Sequence, residues 1–341
     1  MPTYFTTAQV VAAADALDPF TPWLRDMFFT SVALFETQEI IFDRIGRRRK
    51  IAPFVSPNVP GKERERRARQ ATAYSAPYLK PKNSLRPNDS QVRLTGERYG
   101  GEMSMLDRHE VQVQQTLADH ENEIRGREEK MCADLLINGQ VVAEGEGISD
   151  TIDYSRDASL STALTTTARW GETGVLPLDN LRAWARSVGS ISGGVVRNWV
   201  MGYGAAEIFT KDDDVREILD NRRQRDGEMS LAAGATGGLD DVARYIGSIE
   251  GLNFWEYTQT YEDDADQTQH FWPQYGVAGI GARMDGHMAY GAIQDFKSMR
   301  AEARFSKIFE EDDPSTEVLL TQSAPLPVPV DINQTFYASV R

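Results

Sequence analysis

One cysteine, Cys132, in 341 residues leaves no partner for an internal disulfide and no basis for a cysteine-rich zinc site. So sparing a use of thiols fits a reducing cytoplasm. Histidine is also scarce, at four residues. His109 and His120 sit on one helical face but about three turns, or about 16 Å, apart, too far to share a metal. Neither opens a His-Glu-x-x-His motif, and both read as solvent-edge residues. No apolar run approaches the roughly 20 residues that span a bilayer. The opening Met1-Pro2-Thr3-Tyr4-Phe5 has no basic region ahead of an apolar core, so a secretory signal is not expected. These absences predict a soluble intracellular protein with no membrane partner.

Catalytic signatures are missing as well. Gly276-Val277-Ala278-Gly279-Ile280-Gly281 lacks the glycine order of a dinucleotide loop, and Asp285-Gly286 soon after offers no helix to receive a pyrophosphate. It reads as a glycine-rich strand end. Glu262-Asp263-Asp264-Ala265-Asp266 lacks the sixth-position glycine and closing glutamate of a calcium loop, and reads as an acidic loop tip. The Gly234 to Gly238 run has no following Lys-Ser/Thr, so it is not a P-loop. Cys132 has no nearby histidine and reads as buried filler. No catalytic residue, cofactor site or metal ligand emerges, and the chain is not expected to be an enzyme.

Charge, by contrast, is unevenly present. Residues 44–82 carry twelve Lys and Arg (Arg44, Arg47, Arg48, Arg49, Lys50, Lys62, Arg64, Arg66, Arg67, Arg69, Lys80, Lys82) against Glu63 and Glu65. That segment is +10 in a chain of net charge −14, which leaves −24 for the remainder. Three readings stay open: head-to-tail attraction between copies that salt would weaken, a basic DNA-binding arm, or an ordinary solvated loop.

The length suits two or three compact units. In residues 1–43, Thr6 or Thr7 caps a short helix over Ala8 to Leu17, and Asp18-Pro19 breaks it. Phe20, Trp23, Leu24, Met27, Phe28 and Phe29 then need a surface to cover, on the body or on a neighbouring copy. Residues 37–95 read as extended chain, with strands at Glu39 to Phe42 and Ile51 to Val55. Pro53, Pro57, Pro60, Pro77, Pro81 and Pro87 exclude a helix of any length there. With almost no aliphatic residue between 60 and 77, this stretch cannot pack alone and reads as a long projecting β-hairpin loop.

Residues 103–136 change character. They contain no proline, and Leu106, Val113, Leu117, Ile124, Met131 and Leu135 form a thin stripe in steps of seven and four. The pattern predicts a helix about 50 Å long, lying along a sheet. Asn138-Gly139 between apolar runs predicts a hairpin turn. Residues 150–174 look like a connection. Pro177-Leu178-Asp179 leads a helix through Leu181, Trp184 and Val188, and Gly194 to Met201 is a buried strand. Thr210 with Asp213 forms a capping box for a helix through Val215, Ile218 and Leu219. Strands are expected near 244–261 and 276–282, at Val318 to Leu320, through the Pro325, Pro327, Pro329 series, and at Thr335 to Val340.

Three patches carry a family resemblance. They are Tyr4 with Thr6-Thr7-Ala8-Gln9; Val55-Ser56-Pro57-x-Val59-x-Gly61 continuing to Pro77-Tyr78-Leu79-Lys80-Pro81-Lys82; and Tyr290-Gly291-Ala292-Ile293-Gln294-Asp295 followed by Thr321-Gln322-Ser323-Ala324-Pro325-Leu326. In their order and spacing the chain resembles the capsid protein E family, the major head proteins of lambda-type phages. The match is loose between about 140 and 285.

The resemblance implies an α+β Hong Kong 97-type capsid fold. Its expected parts are an N-terminal arm (1–43), an extended loop (44–95), a peripheral domain (96–174) with the spine helix 103–136, an axial domain (175–288), and return strands of the peripheral domain (289–341). It implies hexamers and pentamers closing into an icosahedral shell around packaged double-stranded DNA. It also implies a separate scaffolding protein, a portal and a decoration protein, with assembly in the host cytoplasm and residence in the virion. Arg64, Arg66, Arg67, Arg69, Lys80 and Lys82 become candidate intersubunit contacts. The charged run from Lys62 to Arg69 departs from the family pattern and leaves its detailed loop contacts open. Covalent cross-linking, known in some relatives of this fold, is not implied. The alternatives are an encapsulin-like compartment shell and, from another class, a nucleic-acid-binding protein using segment 44–82.

Overall fold

The computed structural model describes residues 20–45, 69–93, 103–145, 147–217, 242–263, 265, 267–298, 301–313 and 315–341. The expected opening helix, the strand at 51–55 and the end of the helix through Ile218 and Leu219 lie outside these residues.

In chain order the main elements begin with α1 (Trp23–Phe28), β1 (Ser31–Leu34), β2 (Glu39–Ile45), β3 (Arg69–Ser75) and β4 (Lys82–Leu85). The long helix α2 (Met105–Asn138) follows, then β5 (Gln140–Gly145), β6 (Ile148–Asp153), β7 (Ser161–Ala163), α3 (Pro177–Ser192), β8 (Val196–Met201) and α4 (Tyr203–Lys211). After residue 241 come β9 (Ala243–Ile249), β10 (Leu252–Tyr257), β11 (Thr260–Glu262), β12 (Thr268–His270), β13 (Gly276–Gly281) and β14 (Gly286–Tyr290). The chain closes with β15 (Phe305–Asp312), β16 (Ser315–Gln322), β17 (Pro325–Pro329) and β18 (Thr335–Ser339).

Helix α2 is the expected spine. Ser104 caps its start, accepting from the Asp107 amide while the Asp107 carboxylate accepts from the Ser104 amide. Its end corrects the predicted Asn138-Gly139 hairpin. Gly139 takes the left-handed conformation at φ 71° and donates to the Leu135 carbonyl, which closes the helix. The signal for positive φ was right, but the turn it serves is a helix cap. The hairpin comes one strand later, between β5 and β6, with Gly147 at φ 76° in its turn. Residues 150–174 accordingly hold β6 and β7 rather than connection alone.

A six-stranded sheet, ordered β7-β18-β13-β8-β10-β9, divides two cores. Alternation along β8 sends Trp199 and Met201 to one side and Val200 to the other. On the first side α3 and α4 cover Trp170, Trp199, Phe209, Phe254 and Phe336. On the second, the spine helix meets Trp255, Tyr257, Ala278 and Ile280 from the sheet. The glycine-rich β13 is fully buried in this sheet, and Gly279 lies so close to Trp199 that a Cβ would approach its ring to 2.7 Å. Strand β18 pairs with β13 inside this sheet and with β7 on its other side.

The remaining expectations in this region divide. Pro177 at the first turn starts α3 as read. The Thr210–Asp213 capping box does not form: Thr210 belongs to α4 and donates back to Ala206. Asp212 caps the next turn instead, accepting from the Val215 amide. Strand β17 pairs antiparallel with β14 at the edge of a three-stranded sheet, β1-β14-β17. Its alternating prolines lack amides at every second position, which an edge strand tolerates because those positions face away from the ladder.

The cap at Gly139 yields a direct test. Gly139→Ala would hold a Cβ at positive φ, 2.9 Å from the Arg156 Cβ, while the Arg156 guanidinium donates to the Leu136 and Ile137 carbonyls at the helix end. The substitution is expected to cost about 1–2 kcal/mol in chemical denaturation.

Candidate functional site

The later family-like patches, far apart in sequence, meet at one crossing. Tyr78 donates its hydroxyl hydrogen to Gln322 Oε1 at 2.7 Å and accepts from the Gln294 amide at 3.2 Å. Leu79 and Ser323 exchange backbone hydrogen bonds of 2.8 and 3.1 Å, and the Thr321 amide donates to Pro81. Gly291 donates to Ala324, and Ala292 donates to Thr37, two residues before β2. Asp295 accepts from Gln322 Nε2 at 2.9 Å and is ion-paired with Lys307. The Lys307 ammonium, the Lys297 amide and Gln322 hold the Asp295 carboxyl well below the ordinary carboxylate range. This crossing fixes the root of the β2–β3 hairpin, whose strands pair from Glu39↔Ser75 out to Ile45↔Arg69. The hairpin therefore projects from a pinned base.

The predicted contact residues distribute along this element. Arg69 opens β3 at the far end of the pairing. Lys80 is exposed beside the Leu79–Ser323 bridge, and Lys82 is exposed where β4 pairs with Leu320 of β16. Arg64, Arg66 and Arg67 lie outside the described residues. Exposed apolar side chains include Val32 and Leu34 on β1, Ile41 on β2, and Phe296, 93% exposed, just past Asp295.

The two histidine readings divide: His109 sits at the solvent edge as read, and His120 does not. His120 is buried, with Nδ1 3.1 Å from Thr321 Oγ1, and burial lowers its pKa. His109 is half-buried and contacts Glu317 at 2.6 Å. Cys132 is buried as expected.

Sequence reasoning missed a buried ionic cluster on the inner face of α2. Glu128 accepts from the Tyr290 hydroxyl at 2.9 Å and from the Arg304 guanidinium at 3.1 Å, with Arg25 at 3.4 Å. Burial pushes the Glu128 carboxyl up, and Arg25 followed by Tyr290 pull it back. Glu129 accepts from the Leu24 and Arg25 amides at 2.7 and 3.0 Å and from the Tyr257 hydroxyl at 2.6 Å. Arg304 also pairs with Glu121, which Arg125 contacts at 2.8 Å. The predicted stripe holds at Ile124, Met131 and Leu135, which are buried, but not at Leu106, which is 67% exposed; the rest of the buried face is partly polar, lined by Val111, Thr116, His120 and Glu128. Two adjacent glutamates gave the only hint, and an apolar-periodicity reading passes over them.

A long spine helix, a sheet walled between two cores and a β2–β3 hairpin rooted at the edge of the core around the spine define a subunit of the Hong Kong 97-type capsid fold. The family model described as phage major capsid protein E matches residues 6–340. The major capsid protein of Escherichia phage N15 is 26% identical, aligned over 94% of this chain and 95% of its own length. That of Escherichia phage lambda is 25% identical over the same shares. Among solved structures, a putative prophage capsid protein from E. coli CFT073 superposes with a TM-score of 0.71 at 22% identity, covering 100% of both chains. A chain of the mature capsid of bacteriophage PhiM1 gives 0.53 at 10% identity, covering 91% of this chain and 85% of the other. The chain belongs to the phage major capsid protein E family. It is a structural head protein of phage, not an enzyme.

Two substitutions test the site. Tyr78→Phe removes one hydroxyl that serves two partners, and is expected to cost about 1 kcal/mol of stability and to speed amide exchange in β2 and β3. Arg304→Met leaves Glu128 without its closest cation and is expected to cost about 3 kcal/mol in thermal or chemical unfolding.

Proposed function

We propose that copies of this chain assemble as hexamers and pentamers into an icosahedral head around double-stranded DNA. The observation that carries this reading is the β2–β3 hairpin, held at its base by the Tyr78–Gln322–Asp295 crossing and leading into the segment of charge +10. The rest of the chain is −24, so a basic loop from one copy meets an acidic body on the next. Arg64, Arg66, Arg67, Arg69, Lys80 and Lys82 are the proposed intersubunit contacts. Val32, Leu34, Ile41 and Phe296 supply exposed apolar surface of the kind that subunit contacts cover.

In this reading residues 1–43 are the arm, 44–95 the extended loop, 96–174 the peripheral domain and 175–288 the axial domain. Residues 289–341 supply the return strands of the peripheral domain. A separate scaffolding protein, a portal and a decoration protein are the proposed partners, and assembly takes place in the host cytoplasm. The mechanism is geometric: a loop laid across a neighbour multiplies contact area without a broad flat interface.

Replacing Arg64, Arg66, Arg67 and Arg69 together by Gln is expected to leave a folded chain of near-normal melting temperature that no longer forms shells by negative-stain electron microscopy. Shells of normal yield from this variant would overturn the contact assignment. Wild-type assembly should also weaken as ionic strength rises toward about 1 M, where screening acts within about 3 Å. Salt-sensitive DNA binding by the dispersed chain, with assembly unaffected by the four substitutions, would favour the nucleic-acid reading instead.

A further inference from the structure

We propose that Glu129, backed by Glu128, is a proton-operated clasp holding residues 20–29 on the spine helix, and that its grip tightens as the pH falls. The segment it holds has little means of staying folded alone. Helix α1 has six residues, well short of the length at which a helix is stable in isolation. Its Leu24 and Arg25 amides both end on the Glu129 carboxylate. The other polar anchors of this stretch come from the same two places. Phe20 donates its amide to Asn122 of α2, and Gln259, just past β10, donates to the Thr21 carbonyl. Trp23 stacks on Tyr257 at 5.5 Å between ring centroids, and the Tyr257 hydroxyl closes the third side of the carboxylate.

The charges around the clasp are arranged unequally. Helix α2 itself contributes Glu128, Arg125 and Cys132; the held segment contributes Arg25 and Asp26. Tyr257 faces it from β10, Tyr290 from β14 and Arg304 from the stretch before β15. Both guanidiniums in contact with this pair, Arg25 and Arg304, reach Glu128. Among the described residues Glu129 has no ion pair. Its ionised form rests on two amides and a phenol, with the Asp26 charge opposing it.

Burial pushes the Glu129 carboxyl from its ordinary 4.5 up to about 7. Lifting the segment returns the group to water and to its ordinary value, so docking takes up a proton. The held state is therefore favoured most below about pH 4.5, weakens as the pH rises toward 7, and changes little above that. His120 has the opposite sign, since burial lowers its pKa, but its bond is to Thr321 and not to residues 20–29. A local measurement separates the two.

The clasp is a property of the single chain, whereas its use in positioning the arm of a shell subunit rests on the assembly reading above. Hydrogen exchange on dispersed full-length protein, followed by mass spectrometry and corrected for the intrinsic pH dependence of exchange, reads the clasp without requiring assembly. Protection of peptides covering residues 20–29 is expected to fall about tenfold or more between pH 5.5 and 7.5, with α3 peptides unchanged. Glu129→Gln, which cannot ionise, should remove this dependence. Tyr257→Phe deletes a donor to the ionised carboxylate and should move the midpoint to higher pH. Protection of residues 20–29 that is flat with pH in the wild type, or a pH dependence that survives in Glu129→Gln, would overturn the clasp and leave the shell-building function untouched. Should Glu129→Gln fail to fold, the wild-type titration and the direction of the Tyr257→Phe shift decide the matter.

Discussion

The fold turns on two neighbouring carboxylates in a place where a helix of this length would ordinarily bury leucine. Burying an unpaired charge costs many kcal/mol, so Glu128 and Glu129 dictate what can lie against them. They draw in the amides of α1, hydroxyls from β10 and β14, and two arginines from opposite ends of the chain. Segments separated by more than a hundred residues are thereby brought to one point on the spine. An apolar seam would have allowed sliding; directed hydrogen bonds set a single register.

The six-stranded sheet does the complementary work without charge. Its alternating side chains feed two cores, and small residues on β13 let Trp199 lie flat against the strand. Because the spine packs on one face and α3 with α4 on the other, neither core is complete without the sheet between them. The hairpin root lies at another junction, where Tyr78, Gln294, Asp295 and Gln322 exchange hydrogen bonds. In the proposed assembly a loop that reaches a neighbouring subunit gains from a base with one orientation, since flexibility there would be lost again on contact.

Much of this was legible locally. The spine announced itself through absence of proline and a thin apolar stripe, and α3 through Pro177 at its first turn. Strands β8, β13, β16 and β18 fell where β-branched and apolar runs placed them. The errors share a cause. Asn138-Gly139 correctly signalled positive φ, but a left-handed residue serves a helix end as well as a hairpin, and only the continuation of α2 decides between them. His120 looked like a solvent-edge residue; it lies on the buried face, where Thr321, 201 positions away, supplies its partner. Glu128 and Glu129 were passed over for the same reason: each is tolerable inside only because of groups that no local window contains.

The family-like motifs illustrate the division well. As strings, Pro77 to Lys82, Tyr290 to Asp295 and Thr321 to Leu326 identified the family without indicating why those residues belong together. In space they are a single hydrogen-bonded crossing at the foot of the hairpin. The sequence by itself determined the spine helix, the start of α3, several strands, the capsid family and the uneven charge, because periodicity and composition act over a few residues. Tertiary structure alone decided which strand joins which sheet, which polar groups go inside and where the hairpin is anchored. Those outcomes depend on partners supplied from distant segments, and their energies exist only once the chain has closed around them.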